Sequence, residues 1–426
     1  MSASTIQSVR GRQILDSRGR PTVEAEVVLA SGARATASAP AGASRGAAEA
    51  FELRDGDAAH FEGRGVRSAA ANVSGEIGAS LVGRDALAQS DVDRAMRDLD
   101  GTRQLSRLGG NAILAVSIAV ARAGAAAIGV PLYRRLNALA GQPTPTLPMP
   151  MVNILSGGLH AARGMDVQDF LVIPVGATSY SQALDWACQI RSAAAQLCEE
   201  AGIATLLADE GGLSPGFARS TDALDLMVRA FEHAGLTPGD EAAIALDIAA
   251  SSLVEEKGRY RFARAGESLT SEEMIERLED WAQRYPIVSI EDGLHEEDWA
   301  NWPALTRRLG RIQLVGDDLF ATQPDRIARG VEAGAGNCAL IKINQNGTLT
   351  GTLEALAAAR AGGFSSVVSA RSGETEDTVI ADLAVGTAAG QIKIGSVRNT
   401  ERLAKYNQLS RIEEDGLAFA RWPRGR

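Results

Sequence analysis

Along the second half of the chain, short apolar runs recur as FLVIPVG, IALDIA, IVSIED, IQLVGDD, CALIKI and SSVVSA. They alternate with longer segments such as SEEMIERLEDWAQRY, whose apolar positions fall three and four apart. The short runs suit strands buried on both faces, and the longer ones suit amphipathic helices. Their regular alternation predicts a parallel sheet closed into a barrel. The first part of the chain follows another pattern. There PTVEAEVVLASGARATASA alternates apolar with small or polar residues about Ser31-Gly32 and predicts a hairpin, while LGGNAILAVSIAVARAGAAAIG predicts one long helix of alanine and aliphatic residues. The proline-rich segment QPTPTLPMP, residues 142–150, interrupts regular structure. We therefore expect an α+β domain over 1–141 and an α/β barrel over 142–426.

Three of the apolar runs close on an acid, namely Asp247, Glu291 and Asp317, and the next offers Lys342 at the same place. The gaps, about 44, 26 and 25 residues, suit strand-plus-helix units, with one unit skipped between the first two acids. Side chains at the C-terminal ends of barrel strands converge on one mouth, where such folds keep their chemistry. Three carboxylates there make a hard-cation site, and a lysine beside them makes a base. The plain alternative is a set of strand-end acids capping the helices that follow.

Composition narrows the function classes. The chain of 426 residues carries a formal charge of −10, which on average repels nucleic acid and anionic membrane, although a local cationic pocket stays open. Cys188, Cys198 and Cys338 form no CxxC pair, so neither a disulfide framework nor a zinc knuckle is implied. No run of about 18 uninterrupted apolar residues appears, and MSASTIQSVRG lacks the basic-then-apolar pattern of a signal peptide. A cytoplasmic protein with no nucleic-acid or membrane partner is expected. His60, His233 and His295 are expected to be solvated, as are the acidic pairs Glu255-Glu256, Glu272-Glu273 and Glu296-Glu297, unless these start helices.

The strings ILDSRGRPTVE, PAGASRG, GGNAILAVSIAVA, ADEGGLSP, SIEDGL, QLVGDDLF, LIKINQNGTLT, RSGETEDT, GQIKIGS and AKYNQLSRIEE, in this order, resemble enolase over nearly the whole chain. That resemblance implies a modified (β/α)8 TIM barrel capped by a smaller α+β N-terminal domain, usually as a homodimer. It also implies a phosphorylated carboxylic acid as substrate and two Mg²⁺ ions stabilising an enolate, a lysine base beside Mg²⁺ being the general example for such enzymes. By the same likeness Asp247, Glu291 and Asp317 hold the first metal, and Ser44 completes the second site from a mobile lid. Asp292 and Asp318 would be supporting or solvated neighbours rather than ligands. Lys342 would take the C2 proton, its pKa depressed by the metals and by burial. Glu210, followed by Gly211-Gly212, would be the general acid, and Asp169 part of the acid/base network. Arg371 and Ser372 would grip phosphate, Lys393, another barrel unit on, would bind the carboxylate, and His160 and Gln168 would sit on the substrate side.

The departures from the family pattern lie around the substrate. Ala370 stands in VSARSGE where the family has histidine, and Asp169 in QDF where it has glutamate. A carboxylate withdrawn by one methylene moves on the order of 1 Å, which can cost about 100-fold in rate. Ala41 and Arg45 alter the first lid, Ser156 the second, and Arg20 the ILDSRGRP string. Arg45 adds a mobile positive charge that could meet an extra anionic group. Three readings follow. One is a diverged lyase or transferase on 2-phosphoglycerate- or phosphoenolpyruvate-type substrates, with carboxyphosphonoenolpyruvate synthase of phosphonate pathways as a candidate. The others are an ordinary phosphopyruvate hydratase and a binding protein with a vestigial site.

Overall fold

The computed structural model describes residues 2–42, 46–255 and 258–422. Ser44 and Arg45 lie outside the described residues, as does Glu256. The N-terminal sheet has three antiparallel strands, Ile6–Leu15, Pro21–Leu29 and Arg34–Ser38, with the second in the centre. Its last two strands form the expected hairpin, with Gly32 at a φ of 84° in the turn, a conformation glycine adopts without a side-chain clash. Helix Gly110–Ala127 packs along this sheet and is buried on almost every side, which explains its alanine and aliphatic composition. It is long and apolar enough to cross a membrane, yet 83% of it is buried inside the protein, as in the core helix of a folded domain.

Eight strands close the barrel: Met149–Ser156, Asp169–Ile173, Ala243–Asp247, Ile287–Glu291, Gln313–Gly316, Cys338–Ile341, Ser365–Ser369 and Gly390–Gly395. The last pairs with the first and so removes the open edge. Two expectations need correction. The sheet is not wholly parallel, because the second strand runs antiparallel to both neighbours. No barrel unit is skipped between Asp247 and Glu291 either, since their strands pair directly with the two acids in register. The extra length is taken by a small antiparallel ribbon, Tyr260–Phe262 with Glu267–Leu269, and by helix Ser271–Arg284. That helix opens on a capping box in which Thr270 and Glu273 bond each other's backbone N–H, so Glu272-Glu273 do mark a helix start.

Side chains at alternate strand positions enter the barrel. Met149, Met151, Leu171, Ile173, Ala245, Val315, Leu340 and Val367 fill its interior as a separate apolar cluster. The same alternation carries the next inward position to the mouth: Ala245 leads to Asp247, Val315 to Asp317 and Leu340 to Lys342. The antiparallel second strand reaches the same rim from its start, at Asp169, which pairs with Asp247. Its reversed direction therefore places a fourth acid at the same rim as Asp247.

Candidate active site at the barrel mouth

A cavity of about 40 Å³ at the mouth is lined by His160, Gln168, Glu210, Asp247, Asp317, Lys342, Arg371, Ser372 and Lys393, together with Ala370. Of the expected residues that fall within the described chain, Asp169 and Glu291 do not line it and lie directly behind. Lys393 is two strands beyond Lys342 rather than one, with Ser365–Ser369 between.

Lys393 Nζ donates to Asp247 Oδ2 at 2.8 Å and to Glu291 Oε2 at 2.7 Å, so its ammonium occupies the space between two of the expected metal ligands. Burial lowers its pKa, but Asp247 and Glu291 more than offset this and hold it well above the usual lysine value. Burial pushes the Glu291 carboxyl well up, and the neighbouring charge of Asp247 adds to the effect. Glu291 Oε1 is buried without a hydrogen-bond partner among the described residues. Asp317 is paired with Lys342 Nζ and accepts at 2.9 Å from Gln345 Nε2. Three strand-end carboxylates, one with an orphaned buried oxygen, fit a hard divalent cation by donor chemistry. Within this structure, however, the tighter grouping of acids is Asp292, Asp317 and Asp318.

Of the neighbouring acids Asp292 and Asp318, expected to be supporting or solvated, Asp318 is half-buried and lines the cavity. Asp292 is buried, and its two oxygens accept the backbone N–H groups of Asp317 and Asp318, both at 2.9 Å. Its own backbone has a φ of 44°, a costly conformation beside this pair of bonds. Burial and Asp317 raise the Asp318 carboxyl to about 7.

The protein's own groups do not by themselves depress the Lys342 pKa. Burial does lower it, but the charge of Asp317 outweighs burial and the net direction is up.

Across the mouth lies a chain of polar groups that is hydrogen-bonded from Asn153 to His160 and then faces Glu210 across a wider gap. Asp169 Oδ1 accepts from Asn153 Nδ2 at 2.6 Å and from Ser156 Oγ at 2.9 Å, and Asp169 Oδ2 meets His160 Nδ1 at 2.8 Å. His160 Nε2 then faces Glu210 Oε1 at 3.7 Å. Burial disfavours the imidazolium, but Asp169 and Glu210 on either side reverse this and raise His160 to about 9. Burial likewise pushes the Asp169 carboxyl up. The two donors on Oδ1 favour its ionised form, so the shared proton resides on the imidazole. Burial alone would raise Glu210, but His160 and the nearby cations bring it below the usual carboxyl value. The glycines after Glu210 have distinct uses. Gly211 takes a φ of 84°, and a Cβ on Gly212 would lie 2.3 Å from Ser156 Oγ.

Residues 144–422 match the family model described as enolase, C-terminal TIM barrel domain, and residues 6–136 match enolase, N-terminal domain. The chain belongs to the enolase family. This enolase-family protein also uses site residues that the sequence did not single out. Glu49, from the N-terminal domain, pairs with Arg371 Nη1 at 3.0 Å in a buried contact. Arg18 Nη1 donates to Ser372 Oγ at 3.0 Å. Arg402, fully buried, donates to the backbone carbonyls of Arg371, Ser372 and Ile394 and fixes the loop that carries the two expected phosphate contacts. No period or motif in the sequence marks Glu49 or Arg402, because their partners are more than 300 residues and about 30 residues away.

Proposed function

We propose that this enolase-family protein is a magnesium-dependent lyase or related transferase acting on 2-phosphoglycerate- or phosphoenolpyruvate-type substrates through an enolate. It has diverged from housekeeping enolase, and carboxyphosphonoenolpyruvate synthase chemistry is the candidate reaction. The observation that carries the reading is the opposition at one mouth of Lys342 with Asp317 to the Asp169–His160–Glu210 network, with Ala370 lining the space between Lys393 and Arg371. A methyl group there leaves room at the anion-binding side that a larger side chain would fill. Asp247, Glu291 and Asp317 would hold magnesium, which supplies positive charge that relieves their mutual repulsion and stabilises an enolate.

Lys342, aimed into the cavity by the strand Cys338–Ile341, would remove the substrate proton once its ammonium has given up its own. Arg371 would receive the phosphoryl group by exchanging its contact with Glu49. On the opposite side the available proton lies on His160 rather than on Glu210, so a leaving hydroxyl would be protonated from the imidazolium, directly or through Glu210. Asp169, shorter than the family's glutamate, would act through His160 rather than on substrate. We also propose a homodimeric, cytoplasmic protein.

Phosphorus-31 NMR of purified protein with Mg²⁺ and 2-phosphoglycerate, with and without a carboxyphosphonate partner, tests the assignment. A new phosphonate resonance that requires both substrates supports the transferase. The intact proton network favours ordinary hydratase as the second reading. Turnover of 2-phosphoglycerate alone, on the order of 10 per second or more, would favour it. No reaction with either substrate would overturn both.

A further inference from the structure

At the opposite end of the barrel, where the parallel strands begin, lies a second cavity of about 500 Å³. That volume is in the range of small-molecule pockets. Its walls combine three kinds of group. The apolar wall is formed by Met149, Val175, Val288 and the indole-bearing Trp422 of the C-terminal segment. The rim carries the exposed Arg311 and Arg421 against a single carboxylate, Asp240.

The floor is a directed chain of amides. Ser289 Oγ donates to Gln313 Oε1 at 2.9 Å, and Gln313 Nε2 donates to Gln391 Oε1 and, at 3.3 Å, to Ser365 Oγ. Each bond fixes the orientation of the next amide, so the chain ends on the N–H groups of Gln391. Gln391 is 7% exposed and lines the cavity, and its Nε2 has no hydrogen-bond partner among the described residues. A buried amide donor left unpaired is costly, so the site favours a ligand that brings an acceptor.

We propose that this cavity is a binding site for a small aromatic carboxylate. The aromatic ring would lie against Trp422 and the thioether of Met149, while the carboxylate accepts from Gln391 Nε2. Two guanidinium groups against one acid give the rim a net positive charge that draws an anion. The pocket is separate from the catalytic mouth. Gln391 and Lys393 enter the barrel from the same strand two residues apart, Gln391 towards this cavity and Lys393 towards the metal-site acids.

The test is isothermal titration calorimetry of full-length protein with 2-naphthoate, with 2-naphthamide and cyclohexanecarboxylate as comparisons. One 2-naphthoate should bind per chain, and each comparison compound should bind about tenfold more weakly. Trp422→Ala and Gln391→Met should each weaken binding at least about tenfold. Near-ultraviolet circular dichroism reports whether each variant folds, and Trp422→Ala lies on the terminal segment, so it remains informative if Gln391→Met does not fold. Absence of saturable binding at about 10 mM, an affinity that neither variant changes, or equal binding of the cyclohexane acid would overturn the proposal.

Discussion

Replacing Asp169 by asparagine isolates the electrostatics of the proton network while nearly preserving its shape. In the native site His160 is raised from 6.5 to about 9. That difference of about 2.5 units corresponds to roughly 3 kcal/mol favouring the imidazolium. Its sign follows from linkage: the stabilisation is fully present below pH 6.5 and is lost as pH rises through about 9. In Asp169→Asn the same burial remains, but the close carboxylate is gone, and Glu210, at 3.7 Å, and the more distant Asp247 still favour the charge. The His160 pKa should then fall to the ordinary value or below it. Carbon-13 NMR titration of metal-free protein labelled at histidine resolves this directly, because the chain has only four histidines. The reasoning is refuted if native His160 titrates near 6.5, or if Asp169→Asn leaves it above about 8.

Lys342→Ala should lower turnover by at least about 100-fold while leaving Mg²⁺ binding intact, as measured by steady-state rates beside calorimetry. Adding Mg²⁺ to chelator-treated protein at about 100 times its dissociation constant should stabilise it by about 2.7 kcal/mol in denaturant titration. That gain should vanish in Glu291→Gln, and an equal gain in the variant would exclude these carboxylates as ligands. Glu49→Gln, which removes one of the carboxylates facing the buried Arg371 while Asp317 remains, should cost on the order of 2 kcal/mol of stability by the same measurement. Ala370→His should abolish the transferase reaction if the space beside Arg371 holds substrate, whereas an ordinary hydratase should retain or gain rate.

The sequence by itself determined the barrel, the hairpin, the long core helix and the residues at the ends of the strands. These are readable because they follow from short-range periodicity: an apolar run that alternates inward positions must deliver its next inward residue to the rim, as Val315 delivers Asp317 and Leu340 delivers Lys342. Only the tertiary structure decided how those residues engage one another. The ammonium of Lys393 between Asp247 and Glu291, Glu49 on Arg371, and the hold of Arg402 on the phosphate-side loop are contacts between distant segments, and no local pattern encodes them. The direction of the second strand was hidden for a related reason, since an apolar strand buried on both faces reads the same whichever way it runs. The protonation states were decided there too. Lys342 keeps a raised pKa and the network proton rests on His160 because burial and neighbouring charge oppose each other, and their balance depends on distances that folding alone sets.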